Sequence, residues 1–365
     1  MVILGAGASY DSDPNRPVTG PQEEILTLED GYVSAMGLRP PLAQDLFFPR
    51  DDFGDFINAY PQVRPLVPQL RAASAGNSSV SIEAEFEKIV VEAADRPETA
   101  RQVTALKFYL RAAIEKATET WAFEEARGAT NQYLLVDQVD RWAKAARVAA
   151  CYVTFNYDTL LERAASEEYS LSFENMDAYM ANPQCQIFKL HGSIDWSRLA
   201  NGMPDSANSA PPFGREAVAW LLRHSHLARL TREFEVARPG ERKATGQWLF
   251  PAIAVPTQKK TEENFELPAA HIEALKAAIP NVTRVIVIGW RGLEEHFWKF
   301  WDACGPNRRD IYVEVVDANE EAAVEVAKTI QKLGRVDKVH VSPARGFTEY
   351  IAHHGEVSQI LQRLS

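Results

Sequence analysis

Apolar residues open the chain as a short run, Met1–Leu4, that stops at a glycine turn, GAGAS. This reads as a very short strand entering a tight turn. Residues 11–40 are rich in Pro, Gly, Asp and Asn and read as loop, with a short helix near Glu23–Leu28. The texture then changes. In SIEAEFEKIVVEAAD, Ile82, Phe86, Ile89 and Val90 recur at helical spacing behind Ser81, a residue suited to cap the helix. ETARQVTALKFYLRAAIEKATETW and NQYLLVDQVDRWAKAA continue in the same way. Residues 51–146 therefore predict a block of helices with no strand.

From Val148 the pattern alternates. VAACYVTF, QIFKL, FPAIAV, RVIVIGW, IYVEVVDA and DKVHV read as strands, and YDTLLERAAS, LEEHFWKFWDAC and EEAAVEVAKTIQKLG as helices between them. GFTEYIAHHGEVSQILQRL closes the chain as a helix. Strands alternating with helices predict a parallel sheet covered on both faces. The fold class is α/β: a Rossmann-like parallel sheet with helices on both faces and a helical insertion. Residues 1–50 and 147–365 form the core and 51–146 the insertion, packed beside or over the cleft. The strand Val2–Leu4 is expected in the middle of the sheet, beside strands from 148 onward.

Composition narrows the function classes. No apolar run approaches the roughly 20 residues that span a bilayer, and no basic segment precedes an apolar one at the N-terminus, so a cytoplasmic protein is expected. The net charge of −11 disfavours broad nucleic-acid binding. Arg242-Lys243 and Lys259-Lys260 are short basic runs and weak exceptions. Cys151, Cys185 and Cys304 are scattered and form no CxxC pair, and Glu294, Glu295 and His296 have no metal-ligand spacing. No metal is expected, and the thiols read as buried groups of a reducing compartment.

Four places carry candidate chemistry. Gly5 and Gly7 make a partial GxGxxG, with Tyr10 at the third glycine position. Directly after a strand, such a turn lets backbone N–H groups approach a pyrophosphate; it also serves as a plain turn needing positive φ. The strand YVEVVDA ends at Asp317, with Ala318 and Asn319 behind it; an acid or amide there reaches ribose hydroxyls or caps the next helix. In VTFNYDTLLE, Asn156 and Asp158 sit at a strand-to-helix junction, which suits a site and a cap alike. In FKLHGSIDW, His191 is either a base, with an ordinary pKa of about 6.5, or a polar loop residue. Asp195 and Trp196 are rim or packing residues, His353 and His354 solvent-facing, and Phe297, Trp298, Phe300 and Trp301 core or interface.

Taken together, GAGAS, TFNYD and KLHGSIDW resemble, in order, the sirtuin-like superfamily of NAD-consuming enzymes. VIVIGW, VEVVDAN, RPPLAQDLF and FPAIAVPTQKK extend the resemblance, the last two towards bacterial members. It implies that Gly5, Ala6, Gly7 and Ser9 lie against the NAD phosphates and that Gly289 and Trp290 line the cleft. Asp317 or Asn319 would reach the adenosine. Asn156 would hold the nicotinamide ribose or a water, Asp158 would orient that region, and His191 would act on a ribose hydroxyl. The chain lacks the four-cysteine zinc ribbon of protein deacylases, has Phe155 where they usually have glutamine, and lacks their GIPxFR run. The resemblance therefore implies the bacterial branch that hydrolyses NAD to nicotinamide and ADP-ribose in antiphage defence. A homo-oligomer and a partner such as a helicase-type ATPase are expected with it. The alternatives are a subunit that senses NAD or ADP-ribose and gates a partner ATPase or nuclease, and a deacylase or ADP-ribosyltransferase. His191→Ala and Asn156→Ala are each expected to abolish cleavage and leave the fold intact, both residues being placed in loops or caps.

Overall fold

The computed structural model describes residues 1–15, 18, 25–28, 31–34, 39–47, 52–74, 81–204, 211–257, 265–305 and 311–352. Lys259-Lys260, the lysine end of FPAIAVPTQKK, His353, His354 and the last part of the expected C-terminal helix lie outside them.

The central element is a six-stranded parallel sheet. In chain order its strands are β1 (Val2–Leu4), β4 (Ala150–Thr154), β5 (Cys185–Lys189), β9 (Arg284–Ile288), β10 (Tyr312–Asp317) and β11 (Lys338–Arg345), with β2, β3 and β6–β8 in smaller sheets described below. The spatial order is β5-β4-β1-β9-β10-β11. Counted along the chain this is 3-2-1-4-5-6, the doubly wound order, in which ligands bind where the order reverses. That point is the carboxyl end of β1. Every residue of β1 and β4 is buried, as strands covered on both faces require. β1 pairs with β4 on one side and β9 on the other, so the expected mid-sheet position is the observed one.

The helices are α1 (Ala6–Tyr10), α2 (Phe53–Ala59), α3 (Val67–Ser74), α4 (Ile82–Ala93), α5 (Pro97–Glu119), α6 (Asn131–Ala146), α7 (Leu160–Tyr169), α8 (Ala178–Ala181), α9 (Gly214–His224), α10 (Ala269–Ala278), α11 (Glu295–Cys304), α12 (Glu320–Gly334) and α13 (Gly346–Ala352). Ser81 caps α4 as its position suggests, its hydroxyl accepting from Ala84 N at 3.3 Å. The described residues of 51–146 contain helices and no strand. Their apolar faces divide. Leu135, Val136 and Val139 of α6 join the sheet core, whereas Phe86, Leu106 and Leu110 of α4 and α5 join a second core with Trp220, Trp248 and Phe250.

Three expectations are corrected. FPAIAV is a strand, β8 (Trp248–Ile253), but not of the parallel sheet. It pairs antiparallel with β6 (Gly192–Asn201), which also pairs with β7 (Arg229–Val236). Complete burial made it look like a parallel strand, yet Trp248, Phe250 and Ile253 are covered by the helical block. The residues after His191, where no strand is foreseen and Asp195 and Trp196 are expected as rim or packing residues, are the long central strand of this small sheet. The segment near Glu23–Leu28 has strand β2 at Ile25–Leu28, paired with β3 at Gly31–Ser34; β-branched Ile25 and Thr27 favour strand there.

The aromatic set of α11 lies in the main core: Phe297, Trp298, Phe300 and Trp301 are all buried.

Candidate functional site

Register places the motifs at one level. Val316, Ile288, Leu4, Thr154 and Lys189 form a continuous row across β10, β9, β1, β4 and β5. The residues that follow them emerge together at the carboxyl ends of the strands: Asp317, Gly289, Gly5, Phe155 and Leu190. Four interstrand gaps give this edge a length of about 19 Å.

The glycine turn is pressed against the end of β9. A Cβ on Gly5 would lie 2.3 Å from Gly289 O, and one on Gly289, whose φ is +59°, would lie 2.4 Å from Ala8 N. Gly5 N donates to Ile288 O (3.0 Å) and Gly7 N to Gly289 O (3.1 Å). These glycines thus serve close backbone packing first, and their amides are committed to carbonyls. Trp290, next in the chain, stacks on Phe155 at 4.8 Å with 6° between the planes, and its indole N–H donates to Glu294 at 2.6 Å.

Asn156 reaches back to this turn. Its Nδ2 donates to Gly5 O (2.8 Å) and Ser9 Oγ (2.7 Å), while its buried Oδ1 has no partner among the described residues. Ser9 Oγ donates in turn to Asp158 Oδ2 at 2.5 Å. Asp158 Oδ1 accepts from Leu160 N, the first amide of α7, at 3.1 Å, one residue ahead of the helix N-cap Thr159, whose side chain makes no capping bond.

His191 is buried, 4% exposed, at the junction of β5 and β6. Its Nδ1 is 3.2 Å from Phe155 O. A carbonyl only accepts, so this contact places the neutral ring's proton on Nδ1 and the lone pair on Nε2. Phe155, Tyr157 and His296 surround the ring, with centroids 5.1, 6.1 and 6.4 Å away. Burial, then the Glu294 charge, pushes the Tyr157 phenol well up, which keeps it protonated; its hydroxyl donates to Ala254 O at 2.8 Å. Asn156 and His191 do lie between elements, in a loop and a turn, but their expected place outside the packed interior is corrected: both are less than a tenth exposed.

On the far side, Asn319 takes the cap that the sequence offered to Asp317, its side chain accepting from Ala322 N at 2.9 Å. Asp317 Oδ1 accepts from Ala318 N at 2.7 Å. Burial raises the Asp317 pKa against the opposing pull of that N–H and of Arg291. Asp195 is exposed, and Trp196 is buried in the core.

Four residues at or behind the site escaped the sequence reading. Arg39 donates to Tyr10 O at 3.0 Å and lies 4.6 Å over the Trp121 ring, so it ties the end of α1 to Trp121 of the helical block. Gln132 of α6 donates to Ala8 O at 2.9 Å. Lys189 and Glu162 form a buried ion pair behind Asp158. One signal was legible: Lys189 is a lone charge at the end of an apolar strand.

Among the described residues no group of three or more His, Cys, Asp or Glu side chains is placed to hold a metal. Burial pushes the Cys185 thiol up to about 12 and raises Cys151 as well, so neither is a ready nucleophile. No helix of the described residues is long and apolar enough to cross a membrane.

No curated protein matches this chain. A family model described as a SIR2-like domain matches residues 150–209, the span that carries Asn156, Asp158 and His191, and this match supports the sirtuin-like superfamily and an NAD-related function for the chain.

Proposed function

We propose that the chain is an NAD+ hydrolase, releasing nicotinamide and ADP-ribose. One observation carries the reading: Asn156, from the end of β4, touches both Gly5 and Ser9 of the glycine turn. A dinucleotide lying over that turn at the switch point would meet Asn156 and His191 on the β4–β5 side and Asp317 on the β10 side. NAD is the substrate, and no metal takes part in the steps below.

Departure of nicotinamide leaves an oxocarbenium-like ribose, which a water then attacks. An enclosed site raises the worth of each oriented dipole. The buried Asn156 Oδ1 is an acceptor suited to hold that water or a ribose hydroxyl. His191 Nε2 receives the proton that water or hydroxyl gives up. Asp158 holds Ser9 and the Asn156 turn in place.

The resemblance to the bacterial NAD-hydrolysing branch supports a cytoplasmic role in antiphage defence by NAD depletion. Control would come from self-association or a partner such as a helicase-type ATPase. A second reading, a subunit that senses NAD or ADP-ribose, is favoured by a different observation: both amide hydrogens of Asn156 are used to brace the glycine turn, as a pure binding module would use them. Incubation of the purified protein with NAD+, followed by chromatography for nicotinamide and ADP-ribose, decides between the two. Equal release of both products supports hydrolysis; saturable NAD+ binding with no nicotinamide released, across the range of oligomeric states, supports the sensor.

A further inference from the structure

Lys189 ends β5, an otherwise uncharged strand of sequence CQIFK, and its side chain is wholly buried. Its Nζ lies 2.7 Å from Glu162 Oε1 and also donates to the backbone carbonyl of Asp158. Glu162, on α7, is buried too. The same Oε1 accepts from Tyr179 OH at 3.3 Å, and Tyr179 OH accepts from Trp196 Nε1 at 2.9 Å. The network therefore touches the chain on both sides of His191, at Lys189 before it and at Trp196 after it.

Burying an ammonium and a carboxylate together is expensive, and apolar residues of similar volume often stabilise a core as well or better. Stability alone is thus a poor reason for this pair. What it grips is the turn Asn156–Asp158. Lys189 holds the Asp158 carbonyl, the Asp158 carboxylate takes Ser9 Oγ, and Ser9 Oγ takes Asn156 Nδ2. Burial raises the Glu162 pKa and Lys189 pulls it back, which ties the carboxylate's charge to that partner.

We propose that Lys189 and Glu162 are a buried positioning pair, setting the angle at which the Asn156–Asp158 turn meets a nucleotide on the glycine turn. The inference rests on the nucleotide-site reading above. Neither residue touches substrate; both act through Asp158.

The test compares the parent with Lys189→Met, Glu162→Gln and the double variant. Lys189→Met alone strands a buried carboxylate and is expected to lose stability. The double variant removes both charges and keeps an acceptor for Tyr179. Four readouts are taken: thermal midpoint, NAD+ affinity by calorimetry, the rate of nicotinamide release, and amide hydrogen exchange over 154–162. The double variant is expected to stay folded and bind NAD+ within about tenfold of the parent. Release should slow by about 100-fold, as misplaced catalytic groups do, and exchange should rise over 154–162 but not in β9 and β10. A folded double variant with the parent's release rate and the parent's exchange over 154–162 overturns the proposal. So does a double variant that cannot fold, which assigns the pair to the core alone. If the parent itself releases no nicotinamide, the hydrolase reading fails separately, and NAD+ affinity with local exchange still decides the role of the pair.

Discussion

Asn156 Nδ2 lies 2.7 Å from Ser9 Oγ, joining two residues 147 positions apart in the chain. The bond exists because Leu4 and Thr154 are register partners in adjacent parallel strands, so the turns that follow them emerge side by side. A glycine turn and a strand-to-helix junction, each ambiguous alone, become one polar cluster through that pairing.

Asn156→Ala removes two buried hydrogen bonds and leaves Gly5 O without its side-chain donor. The expected loss of stability is about 1–3 kcal/mol, read by chemical denaturation. Nicotinamide release should fall roughly 100-fold or more. Asn156→Asp keeps the shape but brings a second carboxylate to Ser9, and should lose NAD+ affinity as well as rate. Parent-like release by Asn156→Ala would remove Asn156 from the chemistry.

For His191 the burial changes the experiment. Alanine would open a cavity among Phe155, Tyr157 and His296, so its inactivity would mix lost chemistry with lost packing; large-to-small core changes commonly cost about 2–5 kcal/mol. His191→Gln fills more of the space and can still donate to Phe155 O, but offers no basic nitrogen. It is expected to fold and bind NAD+ while releasing nicotinamide at least about 100-fold more slowly. Release by His191→Gln at the parent rate would show that the histidine is a packing residue.

Much of this arrangement was legible in the order of residues, and the parts that were not have physical reasons. Strands buried on both faces announce themselves, and β1, β4, β5, β9 and β10 do so. Which sheet a buried strand joins is a tertiary matter, and β8 joined the small one because the helical block covers it. GSIDWSRLAN hides β6 behind a glycine whose φ is +81° and a sequence rich in polar residues. Asn156, Asp158 and His191 stand out by residue type, but their burial does not, since it comes from elements far away. Lys189 shows the limit most plainly. A charged residue ending an apolar strand invites a surface reading, and only the fold reveals Glu162 beneath it.

Asp317 gives a pH dependence of known sign. Its folded pKa is raised, chiefly by burial, above the ordinary 3.8. The folded state therefore binds more protons than the unfolded one between 3.8 and the raised value. Its contribution to stability is fullest below the unfolded pKa and is lost as pH rises through the folded one. Asp317→Asn should flatten that part of the stability–pH curve and leave the protein relatively more stable at pH 7. In the same variant NAD+ affinity should fall if the carboxylate holds ribose hydroxyls. Urea denaturation from pH 4 to 7 and calorimetry at pH 7 read the two effects separately. An unchanged slope would show that Asp317 titrates alike in both states.

Gly289→Ala tests whether close backbone packing, rather than conformational freedom, is what the glycine turn requires. Gly289 and Gly305 have nearly the same φ, +59° and +61°, but different surroundings. At Gly305, a helix C-terminus, an added Cβ meets nothing within 4 Å. There the substitution should cost only the left-handed strain of an L residue, about 1–2 kcal/mol. At Gly289 the same strain is joined by a collision 2.4 Å from Ala8 N and 2.6 Å from Gly7 C, all backbone that cannot rotate away. Relief requires α1 and the turn to move off β9, breaking the Gly7 N to Gly289 O bond and shifting Gly5 O and Ser9 from Asn156. Gly289→Ala should therefore destabilise by clearly more than Gly305→Ala in the same denaturation series, and abolish NAD+ binding where Gly305→Ala leaves it intact. Equal costs at the two positions, with NAD+ binding preserved in both, would mean that the turn accommodates the methyl group and that its contact with β9 does not shape the site.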